Sequence, residues 1–154
     1  MTMRGSNVVI IGGRSGMGFA TAQLTRHEGA NVTIVSRSSE KLQEAARQIG
    51  EVKIIVADFT NESDVERIFR DMDHVDHIFV SAGSYFGAKV IGTDLELFRS
   101  DVAQKFWGPL YVVRNAAPSL HSVAPKPVSP EPARHSGSAA STAGCGARTS
   151  TRSC

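Results

Sequence analysis

Val8-Val9-Ile10-Ile11-Gly12-Gly13-Arg14-Ser15-Gly16-Met17-Gly18 runs from four consecutive apolar residues into a glycine-rich stretch and then into an amphipathic pattern. The apolar run suits a strand, and the glycines let the backbone turn tightly out of it with no Cβ to keep a ligand away. A helix starting near Gly16 offers unpaired N–H groups and the positive end of its dipole to an anion. Glycines at this spacing also mark ordinary turns. Between a strand and a helix, however, Gly12, Gly16 and Gly18 make a nucleotide pyrophosphate the expected ligand, with the flanking amides of Arg14, Ser15 and Met17 as its donors.

Three more apolar runs come later in the chain: Val32-Thr33-Ile34-Val35, Ile54-Ile55-Val56-Ala57 and Ile78-Phe79-Val80. Continuous rather than alternating apolar character predicts strands buried on both faces of a parallel sheet. Between them lie helical patterns with three- and four-residue spacing: Met17, Ala20 and Leu24; then Leu42, Ala45, Ala46 and Ile49; then Val65, Ile68, Phe69 and Met72. Ser38-Ser39-Glu40 and Asn61-Glu62-Ser63-Asp64 place caps and acids where two of these helices start. The order βαβαβαβ with right-handed crossovers predicts an α/β fold, a doubly wound, Rossmann-like parallel sheet. A fourth helical stretch, 94–117, aligns Val102, Phe106, Leu110, Val113 and Ala117, with a kink expected at Pro109 beside Gly108. No strand or helix pattern is seen after Pro118, so the expected fold is truncated after the fourth strand and fourth helix.

Composition changes at the same point. Of the 154 residues, those from 119 to 154 include no Ile, Met, Phe, Trp or Tyr, and one Leu, Leu120. Pro118, Pro125, Pro127, Pro130 and Pro132 crowd this region together with eleven Ser and Thr. Such a stretch cannot bury enough apolar surface to offset its ordering entropy. The expectation is therefore a partial nucleotide-binding domain, 1–118, and a disordered tail, 119–154. The tail carries Lys126, Arg134, Arg148 and Arg152 against Glu131, leaving the body near −1 of the total +2. Four scattered cations without interleaved aromatics do not make a nucleic-acid or acidic-lipid surface. Cys145 and Cys154 both lie in the tail and imply neither a zinc site nor a disulfide scaffold. Met1 to Asn7 shows no apolar targeting region, and no segment reaches membrane-spanning length. A soluble cytoplasmic protein is expected.

The second strand ends in Val35-Ser36-Arg37-Ser38, about 18 residues beyond Gly18, where a dinucleotide domain selects its cofactor. An acid there would hold both ribose hydroxyls of NAD. Here Arg37 comes after Ser36, and its guanidinium can fork onto the 2′-phosphate of NADP, with Arg14 approaching from the other side. The bland alternative is two solvated arginines. Asp58, next to Phe59 after the third strand, can accept from an adenine amino group or serve as a strand-end acid or helix cap. Ser81-Ala82-Gly83 after the fourth strand is an ordinary turn taken alone, and a cofactor floor taken with the other sites. His74 and His77 have metal-like spacing but no third ligand from an identifiable element, so a polar lead into the fourth strand is expected instead of a metal site.

Together these residues resemble the short-chain dehydrogenase/reductase family over about residues 6–118. Its first half runs Gly-x-x-x-Gly-x-Gly, a selector after the second strand, an Asp after the third and Asn-Ala-Gly after the fourth. Ile11 stands where Thr is common, Ser81 replaces the Asn, and Lys105 aligns with the Asn of the family's fourth helix. The resemblance implies a nicotinamide cofactor, hydride transfer to or from a carbonyl or alcohol carbon, and a subunit interface formed by the fourth helix. It also implies a catalytic Tyr, a Lys four residues on and a Ser, all after a fifth strand, and this sequence has no Tyr past Pro118. Tyr85 and Lys89 show the spacing, but Gly87 and their place after Ser81-Ala82-Gly83 predict a loop, where that spacing does not put both side chains on one face. No catalytic residue is therefore assigned.

Three functions stay open at this level: an NADP-dependent oxidoreductase, expected to be inactive as this chain stands, is weighed against a non-catalytic NADP(H) sensor and a non-functional gene fragment. A small carbonyl or alcohol substrate belongs only to an intact parent, and 94–117 offers a self-association surface. Ser, Arg, Pro, Ala, Gly and Thr dominate from about His121, as out-of-frame reading of a GC-rich gene produces; the alternative is a genuine disordered extension. Resequencing codons 110–154 and beyond decides between them. Another frame that continues with an apolar strand, a Ser and a helical Tyr-x-x-x-Lys is the expected outcome; a single open frame makes the tail genuine.

Overall fold

The computed structural model describes residues 3–84, 87, 89 and 91–120, all within one compact unit, Met1–Ser122. The tail beyond Leu120, with Cys145 and Cys154, lies outside the described residues, as does Tyr85. Four strands, β1 (Asn7–Ile11), β2 (Asn31–Ser36), β3 (Lys53–Val56) and β4 (His77–Val80), form a parallel sheet in the order β3-β2-β1-β4. They alternate with α1 (Gly16–His27), α2 (Ser39–Ile49) and α3 (Glu62–Arg70). The first two crossovers step outward from β1, and the third carries the chain back to its other side. The direction of winding therefore reverses beside β1, where ligands of open α/β sheets bind at the carboxyl ends of the strands. This is the doubly wound, Rossmann-like arrangement that the sequence pattern predicts.

β1 is central, with Ile10 opposite Ile34 on one side and Phe79 on the other. Its side chains feed both faces. Val9 and Ile11 join Val35, Val65, Ile68 and Val112 in one core, while Val8 and Ile10 join Ala22, Val32, Ile34 and Leu42 in the other. Each fully buried Val, Leu or Ile side chain among them contributes about 1.5–3 kcal/mol. The start signals behave as expected: the Ser38 hydroxyl accepts from the Lys41 N–H at 3.5 Å, and Asn61 Oδ1 from Ser63 at 3.0 Å.

Four expectations are corrected. β3 and β4 are not buried on both faces, because each is an edge strand: Val56 is 43% and Phe79 36% exposed. Ala57 lies past the end of β3, although it is buried. In α1 the predicted stripe faces solvent, with Met17 75% and Leu24 69% exposed and Ala20 exposed, whereas Gly18 and Ala22 meet the sheet. The cause is Gly18: its bare backbone lies against the glycine loop, which turns Met17, Ala20 and Leu24 outward while Phe19 packs on the core beside Ala22. Finally, Leu120 forms a parallel bridge with Val75, supported by the Val75 N–H donating to the Ser119 carbonyl at 2.8 Å, so strand-like pairing does occur after Pro118.

The 94–117 stretch comprises α4 (Leu95–Val102), a π-turn (Ala103–Trp107) and α5 (Gly108–Ala116). The expected kink takes the form of this wide turn, and Pro109, which has no N–H to give the preceding turn, sits directly after it in the first turn of α5. Gly108, Val112 and Ala116 are buried, while Val102, Phe106, Leu110 and Val113 are exposed.

Asp76 fastens the start of β4 to β1. Its N–H donates to the Asn7 carbonyl at 2.9 Å, and its Oδ2 accepts from the Asn7 N–H at 2.8 Å. The Asn7 hydrogen bond first, and then the His74 ring 2.7 Å from Oδ1, hold the Asp76 carboxyl below its usual value of 3.8. A depressed carboxylate contributes stability above its unfolded pKa and loses it as pH falls through the folded one. Asp76→Ala should lower Tm at neutral pH, with the difference from the parent shrinking below pH 3.8, as thermal melts across that range will read.

Candidate functional site

The carboxyl ends of β1 and β4 and the start of α1 meet almost without side chains. Gly12 has φ +97°, and a Cβ there would lie 2.6 Å from the Ala82 nitrogen. A Cβ on Gly18 would lie 2.4 Å from both the Gly12 carbonyl oxygen and the Ser81 hydroxyl. Ser81, standing for the family's Asn, donates from its hydroxyl to the Ile11 and Gly12 carbonyls, each at 3.4 Å. This ties the glycine loop to β4.

α1 differs from its neighbours at its first turn. Ser15 makes no side-chain cap and the first turn holds no acid, whereas α2, α3 and α4 begin with the caps Ser38, Asn61 and Asp94 and with acids in the first turn. The leading amides of α1 therefore have no side-chain acceptor competing with an anion. The bare backbone cradle and these amides fit a pyrophosphate.

In front of the loop opens a cavity of about 350 Å³. Gly12, Arg14, Ser15, Ser36, Arg37, Phe59, Ser81, Ala82 and Gly83 all line it. Gly16, Met17, Gly18 and Asp58 do not; Gly18 acts behind the wall by setting the loop against α1. Asp58 Oδ1 accepts from the Thr60 N–H at 3.0 Å and hydroxyl at 2.8 Å, and Oδ2 lies 3.8 Å from the Arg37 guanidinium. That carboxylate shapes the turn after β3 and holds Arg37 loosely at the rim, leaving its side chain 68% exposed.

The cavity also takes in Ile11, Val35, Ser38, Ala57, Ser84 and Gln104, none of which the sequence pattern assigns to the cofactor. Gln104 lies in the π-turn, and its Oε1 accepts from the Ser84 N–H at 3.0 Å and hydroxyl at 3.2 Å. Lys105, the residue aligned with the family's Asn, is not among the lining residues and pairs with Asp101 at 2.7 Å. The docking of this helical stretch against Ser84 decides which of these neighbours faces the cavity, and no local sequence signal announces it. Gly108 lets the helical stretch close in behind this wall: a Cβ there would meet the Phe59 ring at 2.5 Å, so α5 packs on Phe59 because that position is bare. Among the described residues no cluster of His, Cys, Asp or Glu could hold a metal, and His74 is engaged with Asp76. No helix among them is long and apolar enough to cross a membrane.

The short chain dehydrogenase family model matches residues 6–126, reaching beyond the composition change at Pro118. An uncharacterized oxidoreductase of Staphylococcus aureus strain MW2 is 31% identical over 118 residues, covering 73% of this chain and 51% of its own. A solved Bacillus anthracis short chain dehydrogenase superposes with a TM-score of 0.72 at 26% identity, covering 76% of this chain and 50% of its own. The fold is shared, at 21% identity and a TM-score of 0.72, with Pseudomonas aeruginosa RhlG, solved as an NADP active-site complex; 77% of this chain and 49% of that one are covered. The chain thus spans about half the length of the curated relatives it matches.

Gly18→Ala should lower the unfolding free energy by about 1–3 kcal/mol, because the new methyl must push α1 off the loop. Urea unfolding of the two proteins gives the difference.

Proposed function

The chain belongs to the short chain dehydrogenase family, and on that basis we propose that it binds NADP(H) in the cavity at the carboxyl ends of β1, β2 and β4. The observation that carries this reading is the presence of Arg14 and Arg37 on one cavity whose base is the glycine loop, with no acid after β2 at the position that would select NAD. The amides flanking Gly12 and at the first turn of α1 hold the pyrophosphate. Arg37, with Arg14, takes the 2′-phosphate through paired N–H donors. Asp58 holds Arg37 at the rim and accepts from the adenine amino group. Ser36 and Phe59 wall the adenosine side, and Ser81, Ala82 and Gly83 form the floor.

When bound, the nicotinamide supplies a hydride donor or acceptor for a carbonyl or alcohol carbon, which makes the parent activity that of an oxidoreductase. This chain's own residues bind and orient the dinucleotide. Among the described residues none is assigned the proton transfer that such a reaction also needs, so turnover by the chain as it stands is not expected. Cytoplasmic location is part of the same proposal, as is self-association through the exposed Val102, Phe106, Leu110 and Val113.

That exposed face favours a second reading, a non-catalytic NADP(H) sensor that docks a partner there. Saturable NADPH binding without oxidation across a carbonyl panel supports the sensor. Absence of binding leaves a non-functional fragment.

The test is an NADPH fluorescence titration against NADH. The parent should prefer NADPH, and Arg37→Asp should weaken NADPH about ten- to a hundredfold while sparing NADH, the loss expected for a charge-assisted hydrogen bond. Equal affinity of parent and variant for NADPH overturns the assignment of Arg37.

A further inference from the structure

Resting on the nucleotide reading, we propose that Gln104 is a positioning residue that pins the wall of the nucleotide cavity formed by residues 81–84, and thereby sets cofactor affinity. After β4 the backbone leaves the sheet. Ser81 and Ala82 are still held by it, each N–H donating to the Ile11 carbonyl at 2.8 and 3.0 Å. Gly83 has φ +157° and offers no side chain to fix its course. Ser84 is therefore the next point at which this segment can be anchored. The acceptor there is the Gln104 amide oxygen, reached from twenty residues away and shared by the Ser84 N–H and hydroxyl.

Gln104 lies at the start of the π-turn, one turn before Gly108. Residues four apart share one side of a helix. Gln104 and Gly108 accordingly face the loops after β4 and β3, the first bonding Ser84 and the second packed on Phe59. Both Ser84 and Gln104 line the same cavity as Arg14 and Arg37. The Gln104 Nε2 lies 3.4 Å from both the Ser100 carbonyl and hydroxyl oxygens, which orients the amide with its oxygen toward Ser84. The side chain acts through the backbone it holds, and it needs no contact with the cofactor to do so.

The experiment compares the full-length parent with Gln104→Leu, which removes the acceptor at similar volume, and Gln104→Glu, which keeps it. Hydrogen exchange at the Ser84 amide is read without ligand, and NADPH affinity by fluorescence. The expected result is loss of Ser84 protection and about fivefold weaker NADPH binding in Gln104→Leu, with Tm unchanged, and protection retained in Gln104→Glu. Unchanged exchange in Gln104→Leu overturns the clamp. Lost protection with unchanged affinity overturns its role in positioning. A parent that shows Gln104-dependent protection yet binds no NADPH overturns the nucleotide reading and, with it, the link to affinity, while leaving the clamp itself established.

Discussion

The near-contact of three backbones, at Gly12, Gly18 and Ser81–Ala82, governs the whole cavity side of the molecule. Any Cβ at Gly12 or Gly18 would come within 3 Å of its neighbours, so α1 can start against the sheet only where side chains are missing. That closeness leaves the leading amides of α1 open at the carboxyl edge. It also turns Gly18 and Ala22 inward and leaves Met17 and Leu24 in solvent. One requirement of local sterics thus sets the ligand's anchor and the helix's orientation together.

The sheet order supplies the space in front of that anchor. Because winding reverses beside β1, the loops after β1, β2 and β4 diverge and enclose the cavity, with the turn after β3 contributing Ala57 and Phe59 from the flank. The second wall comes from farther along the chain, where the π-turn and bare Gly108 bring the helical stretch close to Phe59. The two walls are built differently. One is backbone packed on backbone, and the other is a helix admitted by a single missing methyl group and joined by one amide.

Much of this was legible in the residues. The four strands, the three crossover helices and the caps at Ser38 and Asn61 were each announced by short-range patterns, because burial and capping are decided within a few neighbours. Nine of the thirteen assigned cofactor residues line the cavity, since a strand, a glycine turn and a selector beyond them are themselves spaced along the chain. The exposed edge strands were not legible: Ile54-Ile55-Val56 reads like the central Val32-Thr33-Ile34-Val35, and only pairing partners distinguish an edge from a centre. Apolar spacing in α1 pointed to the wrong face because periodicity counts large side chains, while here the smallest residue made the contact.

Residue identity and spacing alone carried the family and the order of the fold, and with them the ligand proposed. Glycines flanked by a strand and a helix, and an arginine in place of an acid after β2, are chemical choices written into a few positions. Packing in three dimensions chose which neighbours face the cavity, as with Gln104 rather than Lys105, and which strands are left at an edge. Those outcomes depend on how a helical stretch docks against the loops and on pairing between segments distant in the chain, and neither quantity is stored in any local stretch of residues.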